Sequence, residues 1–284
     1  MSHYLSGPRA WAGFLRVLPA LLLGALLAGC QSPREALQQL ADAYGRKLEI
    51  LPGRPFPLAM LPPQSATKAT RLRVYLEGDG HAWATATQPS LDPSPHNLLV
   101  ARLAVDDPTP NAYLARPCQF VMAPTCESSL WTHRRFSQEV VTSLSQALDQ
   151  LKQRYGNREF ELVGYSGGAA LALLLAAQRN DITQVQTIAG NLSPRLWAEM
   201  KGLSPLSGSL DPLDYRDRLA AIRQRHLVGD ADDVVPASLA KAYLEQLSPY
   251  TCSQTAISPA TDHQQDWEVA WKGWRDRSLA CKSN

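Results

Sequence analysis

The chain has 284 residues, 45% of them hydrophobic and 19% charged, with a formal net charge of +2. That length admits one large α/β domain or two smaller ones, and the composition is that of an ordinary globular protein. A charge so close to neutral speaks against a nucleic-acid or polyanion partner. No C-x-x-C or H-E-x-x-H is present, so no metal and no cofactor is expected.

The chain begins with Arg9 and Arg16 ahead of an apolar run from Val17 to Gly29. The run is too short to span a membrane and suits the apolar region of a signal peptide over residues 1–29. It closes Leu27-Ala28-Gly29-Cys30, which resembles the bacterial lipobox. The resemblance implies lipidation of Cys30 as the mature N-terminus; a plain secretory signal or an uncleaved anchor is the alternative. Gln31 follows, not Asp, and by resemblance to Gram-negative lipoproteins this favours the outer membrane, facing the periplasm. Four cysteines then remain: Cys118, Cys126, Cys252 and Cys281. An even number in an oxidising compartment suggests two disulfides out of three pairings. Cys118–Cys126 and Cys252–Cys281 are favoured, because each pair lies within one structural unit.

Residues 30–69 read as a tether with a short introductory element. A loose helical period runs over Arg34–Leu48, and the five prolines of Pro52–Pro63 read as a semi-rigid connector. Arg71–Leu76 is a strand that runs into Glu77-Gly78-Asp79-Gly80. His81–Pro95 is a Pro-rich loop, Asn97–Val105 a short helix and Asn111–Ala115 a buried strand. Phe120–Thr132 is a loop stapled by Cys118–Cys126. Ser137–Tyr155 is the clearest helix: Ser137 stands as N-cap, Val140, Val141, Leu144, Leu148 and Leu151 make one face, and Gly156 stops it. Phe160–Val163 is a buried strand and Ala169–Ala177 a buried helix, separated by Gly164-Tyr165-Ser166-Gly167-Gly168. Gln184–Ile188 is the next strand. Residues 191–214 break the rhythm with Pro194, Pro205 and Pro212, and read as a small cap or a plain surface loop. Arg223–Val228 is a strand, Pro236–Leu247 a helix, Thr251–Ile257 a last strand and Asp266–Leu279 a last helix. Its Trp267, Trp271 and Trp274 form a stripe that reads as core packing.

This alternation implies a mostly parallel sheet with helices on both faces, and ligand sites at the strands' carboxyl ends. A bare G-x-S-x-G arises by chance in roughly one chain of this length in ten. Its setting between a strand and a helix is more specific and resembles the nucleophile elbow of α/β-hydrolases. Three further stretches carry the same resemblance. Glu77-Gly78-Asp79-Gly80 stands where the family has a Gly-rich oxyanion turn, with Glu77 where His is common. Gly229-Asp230-Ala231-Asp232-Asp233-Val234-Val235-Pro236 is similar to the family's G-x-x-D-x-V-V-P turn. It selects Asp232 over Asp230 and Asp233, which are favourable turn or helix N-terminal residues in any case. Of six His, only His263 follows Asp232, in the loop before the last helix.

The chain is therefore identified as a member of the α/β-hydrolase superfamily, near its little-characterised bacterial lipoproteins, over residue 71 to the C-terminus. An α/β-hydrolase domain at residues 70–284, with a small cap at 191–214, follows from that. The resemblance implies Ser166 as nucleophile, His263 as base and Asp232 as its orienting acid. It also implies backbone N–H groups of Asp79 and Gly167 as the oxyanion hole. The expected reaction is hydrolysis of a small-molecule or lipid-like carboxylic ester, by a monomer held at the membrane by its lipid. An acyltransferase and a non-catalytic hydrolase-like binding protein are the alternatives. Trp83, Trp131 and Trp197 line an apolar pocket or serve as loop anchors.

Overall fold

The computed structural model describes residues 31–64, 69–247, 252–279 and 281. In chain order the strands are β1 (Glu49–Leu51), β2 (Leu58–Leu61), β3 (Arg71–Leu76), β4 (Asn111–Leu114), β5 (Glu159–Tyr165), β6 (Ile182–Ile188), β7 (Arg223–Gly229) and β8 (Ser253–Ser258). They form a single sheet in the order β1-β2-β4-β3-β5-β6-β7-β8. The β1–β2 and β2–β4 pairs are antiparallel, and every other pair is parallel.

Each strand sends alternate side chains to opposite faces, so the sheet carries two cores. Leu72, Val74 and Leu76 face one core and Tyr75 the other; Leu162 and Val163 divide in the same way. The first core is closed by helices Gln138–Tyr155, Gly167–Gln178 and Ala237–Gln246. The second is closed by Pro33–Ala43, Leu99–Val105 and Trp267–Trp274, where Trp267 and Trp271 are buried as packing residues. Helix Gly167–Gln178 is buried continuously from Gly167 to Ala176. Its apolar residues run all the way round, as a helix without a solvent face requires. Each of its buried leucines contributes about 1.5–3 kcal/mol.

Residues 33–64 include the helix expected from the period over Arg34–Leu48, but they are part of the fold and not the expected tether. They form helix Pro33–Ala43 and two strands of the sheet. The prolines there obscure the strands because they flank them: Pro52 follows β1, Pro55 and Pro57 make the connection, and Pro62 and Pro63 follow β2. Three or four residues free of Pro suffice for a ladder at the sheet's end. Residues 191–214 are also more regular than expected. Pro194 opens helix Pro194–Met200, where a missing N–H costs nothing, and the Ser193 hydroxyl accepts the Leu196 N–H. Ser137 stands at the N-cap position, but its hydroxyl makes no capping bond and is buried without a hydrogen-bond partner among the described residues. Gly156 ends that helix at φ +70°. The last helix stops at Trp274, short of Leu279.

Cys118–Cys126 and Cys252–Cys281 lie at disulfide distance, with Cα separations of 5.8 and 4.6 Å. Cys30 and the apolar run before it lie outside the described residues. Among the described residues no helix is long and apolar enough to cross a membrane.

Candidate active site

Strand β5 ends at Tyr165 and the next helix begins at Gly167, so Ser166 alone makes the turn, at φ 50° and ψ −121°. A non-glycine residue there stores strain of order 1–3 kcal/mol, which the surroundings must hold in place. The Ser166 N–H donates to the Ile188 carbonyl at 3.0 Å, and the Ser166 carbonyl accepts the Ala169 and Asn191 N–H groups at 3.1 and 3.0 Å. The flanking glycines give room for the turn. A Cβ on Gly164 would overlap the Gly168 carbonyl, and one on Gly168 would overlap the Leu76 and Glu77 carbonyls.

Asp232 and His263 converge on this serine from the ends of β7 and β8. His263 Nε2 lies 3.0 Å from Ser166 Oγ, and His263 Nδ1 lies 2.8 Å from Asp232 Oδ2. Asp232 is 5% exposed, and its Oδ1 accepts the N–H groups of Val234 and Val235 at 2.9 and 2.8 Å. One carboxylate oxygen is thus fixed by backbone and the other is left for the imidazole. Asp230 accepts the Ala260 N–H at 2.6 Å, tying the β7 turn to the loop that carries His263. The Asp233 side chain stays out of this arrangement, while its carbonyl accepts the Lys201 ammonium.

Two residues to which the sequence motifs assign no role hold His263 in position. The Tyr165 hydroxyl donates to the His263 carbonyl at 2.8 Å, and the two rings lie 5.5 Å apart. Burial, with nearby carboxylates, raises the Tyr165 phenol above its ordinary pKa and keeps it a donor. Trp267 Nε1 donates to the Asp262 and His263 carbonyls at 3.0 and 3.2 Å. Tyr165 occupies a variable position of G-x-S-x-G, so the motif gives no hint of this role. Trp267 carries a second duty that helical periodicity does not reveal.

The expected oxyanion turn lies over the start of helix Gly167–Gln178. No acceptor among the described residues takes the Asp79 or Gly167 N–H. The Asp79 side chain is clamped. It pairs with Arg116, and with Arg135 Nη1 at 3.1 Å. A Cβ on Gly167 would overlap its carboxylate, so the elbow glycine also makes room for Asp79. Burial opposes ionisation of Asp79, yet the Arg135 and Arg116 guanidinium groups prevail and hold it below the usual carboxylate range. Neither arginine has a sequence signature, since the contacts join residues 37 and 56 positions apart along the chain only after folding.

Glu77 stands where the resemblance has His. Its carboxyl accepts the Gly78 N–H and the Tyr113 hydroxyl, each at 2.8 Å. Burial pushes it up to about 7 against those two bonds.

Ser166 and His263 open into a cavity of about 480 Å³. Trp83 and Trp197 line it, as do Glu77, Asp79 and Arg135. Two histidines passed over in the sequence, His81 and His96, line it together with ring centroids 4.7 Å apart. Trp131 does not line it; it is a loop anchor whose Nε1 donates to the Ser90 carbonyl at 3.2 Å. Trp197 reaches the wall from helix Pro194–Met200 and donates to the Val234 carbonyl at 2.9 Å.

No family model matches the chain, and no curated protein sequence matches it. Solved structures do. An esterase of Pyrococcus furiosus superposes with a TM-score of 0.59 at 11% identity, covering 88% of this chain and 94% of the esterase. Est1E from Butyrivibrio proteoclasticus gives 0.55 at 14% identity, covering 80% and 97%. An α/β serine hydrolase homologue from Coxiella burnetii gives 0.55 at 14%, covering 79% and 92%. Strand order, the parallel register and these superpositions together show that the chain has the α/β-hydrolase fold.

Proposed function

We propose that this protein is a serine hydrolase that cleaves carboxylic esters through an acyl-enzyme. The observation that carries the reading is the continuous line Ser166 Oγ, His263 Nε2, His263 Nδ1, Asp232 Oδ2, with contacts of 3.0 and 2.8 Å at the mouth of a cavity. In this scheme His263 takes the Ser166 proton as Oγ attacks the ester carbonyl. Asp232 holds the proton on Nδ1 and stabilises the imidazolium. The N–H groups of Gly167 and Asp79 meet the oxyanion, each contributing about 2.7–4 kcal/mol by mutational precedent. His263 then protonates the leaving alcohol, and water repeats the sequence on the acyl-enzyme. The named structural neighbours, an esterase and a serine hydrolase homologue among them, agree with this chemistry. A fluorophosphonate probe tests it. Wild-type protein should label and Ser166→Ala should not; a folded wild type that never labels would refute the reading.

The site is placed, in the same proposal, at the bacterial envelope through lipid on Cys30. Several acyl chains on one residue make such anchoring stable, at about 0.8 kcal/mol per buried CH₂. Metabolic labelling with a palmitate analogue should mark the wild type and not Cys30→Ala; equal labelling of both would remove the anchor.

A further inference from the structure

We propose that the substrate ester carries a second, anionic group, a carboxylate in the simplest case, and that Arg135 is the residue that selects it. The inference rests on the serine-hydrolase reading and adds the substrate's charge to it. Arg135 lines the same cavity as Ser166 and His263, and its side chain is only 7% exposed. Two guanidinium groups share one carboxylate here, because Asp79 faces both Arg116 and Arg135. The other carboxyl of the cavity wall, Glu77, is taken up by the Gly78 N–H and the Tyr113 hydroxyl, and its pKa of about 7 leaves it largely neutral at weakly acidic pH. Around Asp79, two guanidinium groups thus stand against one carboxylate.

Arg135 is also incompletely paired. Its Nε is buried and has no hydrogen-bond partner among the described residues. The guanidinium lies over the rings of Phe136 and Trp197, 5.6 and 5.4 Å from their centroids. Ring faces hold a guanidinium flat and keep water off it without satisfying its N–H groups, which lie in its plane. Burying a cation with part of its hydrogen bonding unmet is expensive unless something else supplies the acceptor. A carboxylate arriving with substrate supplies an acceptor to the guanidinium fork on the cavity wall. A lysine at this position would offer charge without the fork.

Two ester pairs test this at about pH 6.5. One places the charge on the acyl side: mono-p-nitrophenyl adipate against p-nitrophenyl hexanoate. The other places it on the alcohol side: 4-carboxyphenyl butanoate against phenyl butanoate. In wild type the anionic member of at least one pair should lead in kcat/KM by tenfold or more. Arg135→Met should cut that ratio at least tenfold, mainly through KM, while fluorophosphonate still labels Ser166. If Arg135→Met does not fold, Arg135→Lys should cut the ratio at least threefold. Labelled wild type that shows no anionic preference in either pair overturns the inference and leaves the hydrolase reading standing. So does a preference that survives intact in the folded Arg135 variant. Absence of labelling in wild type sinks the hydrolase reading, and the inference with it.

Discussion

Asp232→Asn is the sharpest perturbation of this site, because the backbone dictates how the amide must sit. In the wild type, Oδ1 accepts two N–H groups, from Val234 and Val235, and Oδ2 faces His263 Nδ1 at 2.8 Å. An asparagine has one oxygen and one NH₂. Two N–H donors cannot face an NH₂, so the amide oxygen must take the Oδ1 place and the NH₂ the Oδ2 place. The NH₂ then donates to Nδ1, which must be unprotonated. The imidazole proton moves to Nε2, 3.0 Å from Ser166 Oγ, and the base becomes a donor. Wrong-tautomer substitutions of this kind lower kcat about 10⁴-fold, or about 5 kcal/mol of transition-state stabilisation. Both backbone bonds survive, so the fold should not suffer. The assay is kcat/KM on a p-nitrophenyl ester, with thermal unfolding as the control. An Asp232→Asn enzyme within tenfold of wild type would refute the reasoning, since it would mean that Nδ1 does not set the state of Nε2.

Tyr165→Phe removes one of two donors to the His263 carbonyl and leaves Trp267 in place; a loss of about 1 kcal/mol, seen as a several-fold fall in kcat with KM nearly unchanged, is expected. An unchanged kcat would show that the Tyr165 hydroxyl does not help to position the loop. Glu77 has a folded pKa near 7, above its ordinary 4.5, so its stabilising contribution is complete below about 4.5 and is lost as pH rises through 7. The full span is about 3 kcal/mol, and Glu77→Gln should flatten urea-unfolding stability between pH 5 and 8 by that order; identical pH profiles would contradict it. His226 acts with the opposite sign. Burial lowers it to about 3, so its contribution is complete above 6.5 and is lost as pH falls toward 3, and His226→Gln should reduce acid sensitivity in that window. The Cys252–Cys281 pair closes a longer loop than Cys118–Cys126, with separations of 29 and 8 residues. Cys252→Ser should therefore cost more stability than Cys126→Ser, by about 1 kcal/mol on loop entropy alone, and the reverse order in denaturant unfolding would overturn that expectation.

Much of the fold was legible because the relevant signals are local. A strand buried on both faces carries apolar residues at successive positions, as Leu162 and Val163 do after Phe160, and a helix inside a core is apolar on every side, as in Ala169–Ala177. The turn between them needs glycine wherever backbones pass within van der Waals contact, and that need is written at Gly164 and Gly168. Strands β1 and β2 were not legible, because they are three and four residues long and prolines fill the connection between them and follow the second. The strand character of β2 comes from pairing with β4, and that of β1 from pairing with β2 in turn, which is a tertiary fact.

The sequence by itself determined the α/β class, the parallel alternation and the chain order of Ser166, Asp232 and His263, since each rests on residue type and spacing along one dimension. Only the tertiary structure decided what surrounds that serine. The Asp79 clamp joins a β3 turn to Arg116 and Arg135, and Tyr165 meets His263 across 98 residues. Folding turned Trp131 away from the cavity and brought His81, His96 and Trp197 to its wall. Such contacts are made between loops, whose residues obey no periodicity. Their partners are chosen by where the sheet delivers the strand ends, and no spacing in the chain records that choice.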